Sequence, residues 1–372
     1  MRGSLASFCL VTLALSLTYY LTLWFIPLYE LDALETSFQD TNFSDQNFYL
    51  YYSSYFCQFP PDALQDYNVT WSSLGVVFYL TALCRFTGSV YTHFFANFLA
   101  LFVVLYFAKQ QLEVTTNERI SLNLFSALAF PVTFLLIGMP GKEIFSSLAL
   151  ICITISLVRW EQSKVDSLFW LLTSLVLSGF SRPHEAIILV GIYCFYLAYR
   201  RLGVWAVFGL LFGAPVLFDI VIEAVVNPLM GIDLSSLSDQ VVSTDEGLSS
   251  TLVSENLFLH VALSPIRIIY LYLGVIYKSV TLFSFELDWY FLFRDVPLGM
   301  RAIDFVSGFL IFIVMIKRRT IFLAEVVIVI MMYLFVITLF GVEEKSRYIF
   351  PLFPVLILMS ALPGRRVSGV RF

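Results

Sequence analysis

The chain has 372 residues, of which 59% are hydrophobic and 13% are charged, with a net charge of −5 and a mean hydropathy of +0.85. Soluble domains carry about 25% charged residues, so this composition excludes an ordinary soluble domain, and we expect no nucleic-acid partner. Several apolar runs exceed the roughly 18 residues that mark a transmembrane helix. We therefore predict an all-α, polytopic integral membrane protein that forms one domain over residues 1–372.

The first apolar run covers residues 5–28 and has no small-residue cleavage site, so we expect it to stay as a membrane anchor. Residues 29–89 follow as a long first outer loop, because residues 29–72 hold acidic groups and no Lys or Arg. Within it, residues 73–86 are predicted to form a helix in the outer interface. Cys57 and Cys84 could meet in this loop, but two cysteines without a pattern make a weak case for a disulfide.

The later apolar runs predict further membrane spans, and the basic residues between them set their orientation. The acidic segment 227–258 also lacks Lys and Arg and is predicted to be a second outer loop, with both termini cytoplasmic. The total is about ten spans, or twelve if residues 259–299 form a hairpin rather than an interfacial segment. The later spans are expected near residues 90–108, 121–139, 144–158, 166–181, 186–199, 202–226, 302–316, 320–341 and 348–362.

Charged clusters interrupt three of these apolar runs. Lys142 and Glu143 stand about as far before the inner turn "RWEQSK" as Arg182 and His184 stand after it, so a helical hairpin puts both at one height. A third cluster, "EEKSR", holds Lys345 and Arg347 at the outer end of another span. All three clusters are therefore predicted to meet at the outer membrane edge.

These residue types suit recognition of a lipid-linked phosphate. Lysine and arginine bind phosphate groups, arginine through its planar fork, and a nearby carboxylate can act as general base on a hydroxyl. Pro140 and Pro183 break their helices and let the adjacent cations turn into a cavity. The plainer interpretation is that each cation extends from a helix end to the membrane surface.

Several motifs together resemble the multi-spanning GT-C-type glycosyltransferases, most closely the bacterial Wzy-type O-antigen or exopolysaccharide repeat-unit polymerases. They are "SDQNFYLYY" after the first span, "PGKE" followed one hairpin later by "SRPHE", and "EEKSRYIFPLFP". The resemblance implies a GT-C-like helical fold with an outward-facing cavity, polyprenyl-linked sugar donors and a catalytic carboxylate in an outer loop. Asp45 matches that carboxylate best, Asp32 is the reserve, and Glu143 is the rival candidate.

The predicted function is a glycosyltransferase of the bacterial inner membrane that polymerises oligosaccharide repeat units at the periplasmic face. Its predicted partners are the bilayer and the polyprenyl-linked donor and acceptor, with undecaprenyl pyrophosphate as carrier and a chain-length regulator as a further candidate. No cofactor is expected, because three histidines without paired spacing give no strong metal site, although a divalent metal at the first outer loop stays open. The substrate phosphate is assigned to Lys142, Arg182, His184, Lys345 and Arg347.

Two alternatives remain at this point. One is a GT-C enzyme that moves a single sugar from a polyprenyl monophosphate, which needs fewer cations than a pyrophosphate. The other belongs to a different class, a lipid-linked glycan transporter or flippase, which predicts charges at mid-membrane and an internal repeat. Asp219, Asp304 and Glu325 are scattered and the chain shows no repeat, so the sequence favours the enzyme.

Overall fold

The computed structural model describes residues 43–58, 71–89, 92–120, 129–138, 141–203, 296–339 and 349–363, with isolated positions in 7–14, at 122 and in 266–277. This part of the chain is all-helical. In chain order the helices are α1 (Phe43–Gln58), α2 (Trp71–Thr87), α3 (His93–Thr116), α4 (Pro131–Gly138), α5 (Glu143–Arg159), α6 (Lys164–Ser181), α7 (Pro183–Leu202), α8 (Val296–Arg318), α9 (Leu323–Leu339), and a 3-10 turn (Phe350–Leu352) that runs into α10 (Phe353–Ser360).

Most predicted runs inside these ranges are helical, with different bounds. Helix α3 continues past residue 108 to Thr116, so Lys109 lies within a helix and not in the expected loop. Of the predicted run 121–139, the described part holds only the short helix α4. Among the described helices, α3 alone is both long and apolar enough to cross a membrane. The predicted spans near 5–28 and 202–226, loop 227–258 and segment 259–299 lie largely or wholly outside the described residues.

Helix α5 forms the centre of the fold. Every residue from Glu143 to Arg159 is buried, and the helix packs against α3, α4, α6, α7, α9, α10 and the 3-10 turn. A helix that is apolar on all sides is stable only when it is surrounded in this way. Both ends of α5 carry charged residues, Glu143 at its start and Arg159 at its end.

Helix α6 buries four serines and Trp170 and exposes most of its other large apolar residues. This is the reverse of a helix on a soluble protein. Its buried serines face α5, where Ser167 contacts Ser156 at 3.1 Å and Ser181 contacts Ser146 at 2.6 Å. Small residues let two helices approach closely, as in membrane helix pairs. The buried serines of α6 are Ser167, Ser174, Ser178 and Ser181, and its exposed apolar residues include Leu168, Phe169, Leu172 and Val176.

Helices α1 and α2 pair within the predicted first outer loop. The region around the aromatic stretch "FYLYYSSYF" is the helix α1, which the sequence analysis did not anticipate. A disulfide joins Cys57 at the end of α1 to Cys84 near the end of α2. Arg85 adds two hydrogen bonds, from Nε and Nη2, to the Phe56 carbonyl oxygen at 3.3 Å and 3.0 Å. The two helix ends are therefore held both covalently and by a charged donor.

The α2 backbone rests directly on the end of α6 at Gly75. A Cβ atom at position 75 would lie 2.5 Å from the carbonyl oxygen of Phe180 and 2.7 Å from its Cα. Real side chains do not tolerate such an approach to backbone atoms, so only glycine fits. Since Phe180 immediately precedes Ser181 and Arg182, this contact places α2 against the charged end of the α5–α6 hairpin.

Candidate functional site

The break between α6 and α7 positions Arg182. Helix α6 ends at Ser181 and α7 begins at Pro183, so Arg182 alone has extended backbone, with φ −142° and ψ 111°. Proline suits the first position of a helix because it has no N–H to satisfy and its φ is already helical. The Arg182 N–H donates to the Ser178 carbonyl at 2.8 Å. The predicted helix break at Pro183 is thus confirmed.

Arg182 bridges two carboxylates that come from different helices. Its Nη1 donates to Glu185 Oε1 at 2.8 Å, and its Nη2 lies 3.6 Å from Glu143 Oε1. The three residues are 2%, 4% and 8% exposed for Arg182, Glu185 and Glu143. Two of the charged clusters predicted to share one height therefore do meet, at the start of α5 and the start of α7.

Two serines complete what we term the charged cluster: Glu143, Ser146, Ser181, Arg182 and Glu185. The Ser146 and Ser181 hydroxyls lie 2.8 Å and 3.1 Å from Glu185 Oε2. Buried ions need such additional hydrogen bonds because pairing alone rarely offsets the cost of desolvation. Glu185 is not among the predicted site residues, although its position three residues after Arg182 at a helix start was a usable signal.

Lys142 connects the charged cluster to α1. Its Nζ lies 5.8 Å from the centre of the Tyr49 ring, within cation–π range, and its side chain is half-buried. Tyr49 is buried on α1, and Asp45 precedes it by one helical turn. The Asp45 side chain lies outside what the structure describes, so the structure gives the position of Asp45 in α1 but not its contacts.

A chain of hydrogen bonds joins the middle of α2 to the start of α3 and the end of α4. The Tyr79 hydroxyl donates to Asn97 Oδ1 at 2.8 Å, and Asn97 Nδ2 donates to the Ile137 carbonyl at 2.9 Å. Burial raises the pKa of Tyr79, so this hydroxyl stays a neutral donor. The Tyr79 ring packs edge-on against Phe145 of α5, with centroids 5.0 Å apart. Helices α2, α3 and α4 are thus tied together beside the first turns of α5.

Asp304 of α8 has a role that the sequence did not reveal. It is fully buried and accepts hydrogen bonds from the Thr133 N–H at 2.7 Å, the Thr133 hydroxyl at 2.7 Å and the Val132 N–H at 3.2 Å. These donors belong to the first turn of α4, so Asp304 caps that helix from a distant part of the chain. It had been counted among scattered charges, whereas here it fixes the short helix that leads to Lys142.

The remaining predicted site residues have no described side chains. Asp32, Lys345 and Arg347 fall outside the described residues, and His184 is known only as the second residue of α7. The convergence of the third cluster with the other two thus stays a prediction. Among the described residues, no group of three His, Cys, Asp or Glu side chains is placed to hold a metal ion.

The opposite end of the α5–α6 hairpin is also ionic. Arg159 donates to Asp166 Oδ2 at 2.5 Å and to Gln162 Oε1 at 2.6 Å. Nearby, Arg200 of α7 pairs with Glu161 in the turn. These pairs reach the surface, so we assign them to holding the turn.

No protein-family model, curated protein or solved structure matches this chain. The charged cluster itself therefore indicates which chemistry this site can support. A buried arginine fork beside a half-buried lysine can hold an anion, and a carboxylate within reach can accept a proton. The cluster offers both at the start of α5.

Proposed function

We propose that the chain is a polytopic membrane protein with both termini cytoplasmic, as its composition and charge distribution predict. The outward faces of its helices support this proposal, because bilayer lipid is the solvent that suits exposed leucine, phenylalanine and valine. Besides α6, helices α3 and α8 present such faces. Their exposed apolar residues include Phe95, Leu99 and Val103 of α3 and Val306, Phe309 and Leu310 of α8.

The disulfide supports an outer location for the charged cluster. Disulfides persist in oxidising compartments and are rare in the cytosol. Cys57 and Cys84 lie on the helix pair that packs, through Gly75, on the end of α6 beside Arg182. The charged cluster would then face the periplasm and the Arg159 end the cytoplasm, in agreement with the acidic and basic loops.

This orientation is testable with Phe86, which is 90% exposed beside the disulfide, and Gln162, which is exposed in the turn at the other end. In a background whose other free cysteines are serines, Phe86→Cys should react with a membrane-impermeant maleimide in whole cells. Gln162→Cys should react only after permeabilisation. The reverse labelling would refute the orientation and move the cluster to the cytoplasmic side.

We propose further that the protein is a glycosyltransferase that joins polyprenyl-pyrophosphate-linked oligosaccharide repeat units at this face. The observation that carries the proposal is the buried Arg182 between two carboxylates, beside the half-buried Lys142, at a helix break. A polyprenyl-linked pyrophosphate would place its charge at this depth while its chain stays in lipid. His184, Lys345 and Arg347 are proposed to add to the same phosphate site.

In the proposed reaction the acceptor hydroxyl oxygen attacks the anomeric carbon of the donor. The bond between that carbon and the pyrophosphate oxygen breaks, and polyprenyl pyrophosphate leaves with the electron pair. The hydroxyl proton passes to a carboxylate, and such general-base assistance is typically worth about 10²- to 10⁴-fold. Asp45 remains the first candidate for that base, with Glu143 as the rival and Asp32 as the reserve.

The decisive experiment uses the purified chain in nanodiscs with a lipid-linked oligosaccharide as substrate. Stepwise lengthening of the lipid-linked glycan, absent with Arg182→Ala, would establish the polymerase. Movement of intact substrate across the bilayer without any new glycosidic bond would establish a flippase instead.

One observation favours the second enzymatic candidate, transfer of one sugar from a polyprenyl monophosphate. Within the described part of the site two cations are present, and Arg182 is already paired with Glu185 at 2.8 Å. That charge balance suits a smaller anion than a pyrophosphate. Offering both carriers to the purified chain separates the two enzymes, because only the matching donor yields a product.

A further inference from the structure

We infer that the Glu143 carboxylate stands in for a ligand phosphate on Arg182, and that a phosphate or pyrophosphate group displaces it on binding. The inference rests on the proposed function, because it concerns the anion that the same site takes. It adds a binding step to the proposed function: the substrate phosphate replaces the Glu143 carboxylate as the partner of the Arg182 guanidinium.

The first support is the unequal way in which the two carboxylates are held. Glu185 receives a hydrogen bond from Arg182 Nη1 at 2.8 Å and lies within hydrogen-bonding distance of Ser146 and Ser181. Glu143 lies 3.6 Å from Nη2, beyond hydrogen-bond length. Among the described residues its carboxylate makes this ion pair and no hydrogen bond. Glu185 is therefore a fixed partner of Arg182, and Glu143 is an exchangeable one.

The second support is position. The Glu143 side chain is 11% exposed, against 5% for Glu185 and 3% for Arg182, so the least buried carboxylate is also the least firmly bound. Glu143 follows the half-buried Lys142 in the first turn of α5, where the backbone N–H groups favour an anion. An incoming phosphate would meet Lys142 and Glu143 before it meets Arg182.

The third support is a buried hydroxyl without a partner. Ser147 follows Glu143 by four residues and so lies on the same face of α5, one turn further along. Its Oγ is buried and makes no hydrogen bond within the part of the chain that the structure describes. An unpaired buried hydroxyl is unfavourable, and the Glu143 carboxylate does not reach it; a larger phosphate or pyrophosphate group that extends one turn further along this face would give it an acceptor. Phosphate binding would therefore supply the hydrogen-bond acceptor that the Ser147 hydroxyl lacks in the present arrangement.

Gly141 makes the resting position of Glu143 possible. A Cβ atom at Gly141 would collide with Glu143 Oε2, the free end of a flexible side chain. The backbone of Gly141 lies outside the left-handed region, so alanine is otherwise compatible there. Gly141→Ala should push the carboxylate away from Arg182 while keeping its charge in the protein.

The test measures binding of undecaprenyl pyrophosphate, and separately of inorganic pyrophosphate, to the full chain in nanodiscs. Glu143→Gln and Glu185→Gln are an isosteric pair with opposite expected signs. Removing the competing anion should lower the Kd about threefold to tenfold, and removing the orienting anion should raise it about tenfold. Gly141→Ala should also lower the Kd, and Gly179→Ala, where a Cβ meets nothing within 4 Å, should leave it unchanged.

The direction in which Glu143→Gln changes the Kd distinguishes exchange of Glu143 from a role in orienting Arg182. Weaker binding in Glu143→Gln and in Gly141→Ala would show that Glu143 orients Arg182, and the exchange would be refuted. Tighter binding of both undecaprenyl pyrophosphate and inorganic pyrophosphate supports recognition of the phosphate group itself. Tighter binding of undecaprenyl pyrophosphate alone supports recognition of the phosphate at the membrane surface. If Glu143→Gln does not fold, Gly141→Ala decides by the same criterion.

This experiment is independent of glycan synthesis. If the variants show the expected order of Kd values but the chain forms no glycosidic bond, the proposed function is refuted and the exchange is still supported. A working polymerase without the ranking would refute the exchange alone.

Discussion

An arginine closes the α5–α6 hairpin at each end, but the two ends are built differently. At the Arg159 end the partner Asp166 is 41% exposed, and Glu161 in the neighbouring pair is 59% exposed. At the Arg182 end neither carboxylate exceeds 11%. Exposed ion pairs contribute about 0–1 kcal/mol, whereas a buried ion is costly unless it is fully paired.

The difference indicates where function should be sought. The Arg159 end needs only to fix a turn, which surface pairs achieve at little cost. The Arg182 end holds three ions away from water together with two serines, although apolar side chains of similar volume often stabilise a core equally well. Retaining such an arrangement is consistent with a role in chemistry, and four predictions test this contrast.

The largest expected effect comes from replacing the two arginines by lysine. Lysine keeps the charge but cannot reach two carboxylates as a fork does, and a misplacement of about 1 Å in a site can cost about 100-fold in rate. If the chain is the proposed polymerase, Arg182→Lys should reduce polymer formation at least that much with normal protein levels, as judged by glycan ladders and immunoblots. Arg159→Lys should retain polymer formation. Full activity in Arg182→Ala would remove this residue from the site.

The second prediction concerns the disulfide that joins α1 to α2, the helix that rests on the end of α6. A cross-link across a separation of 27 residues should stabilise the chain by about 3.5 kcal/mol through the loop-closure entropy of the unfolded state. Replacing Cys57 and Cys84 by serine, or adding reductant, should lower the Tm in detergent. Replacing the exposed Cys194 by serine is the matched control and should not. A wild-type Tm that is insensitive to reductant would contradict the pairing.

Close approach of α2 to the Arg182 end gives the third prediction. Gly75→Ala places a methyl group against the Phe180 backbone, and overpacking of this kind costs about 1–3 kcal/mol. Because Phe180 adjoins the charged cluster, activity should fall along with the Tm. Gly179→Ala, in open space one residue away, should keep both. Equal behaviour of the two variants would mean that α2 does not rest on α6 as described.

The smallest effect is expected at the Arg159 end. Glu161→Gln removes the exposed pair with Arg200, and pairs of this type are worth about 0–1 kcal/mol. The Tm should shift little and polymer formation should stay at the wild-type level. A severe loss of activity would contradict the difference between the Arg159 and Arg182 ends of the hairpin, because the exposed pair would then matter as much as the buried charged cluster.

Sequence reasoning was most successful where structure depends on neighbours along the chain. The runs 144–158, 166–181 and 186–199 correspond to α5, α6 and α7 with shifts of a few residues. The break at Pro183 and the meeting of Glu143 with Arg182 followed from local chemistry and from helix length. Helix α1 was missed because aromatic residues are typical of an interfacial loop as well as of a buried helix face.

The sequence by itself determined that the described part of the chain is helical, where α5–α7 lie, and that Glu143 and Arg182 share a level, because backbone geometry and apolar runs are local properties. Tertiary structure alone decided which charges pair. Ser146 meets Glu185 across 39 residues and Thr133 meets Asp304 across 171. The same holds for the Cys57–Cys84 disulfide and for the burial of serines on α6. Such contacts depend on which faces of packed helices meet, and residue spacing along one helix does not specify that choice.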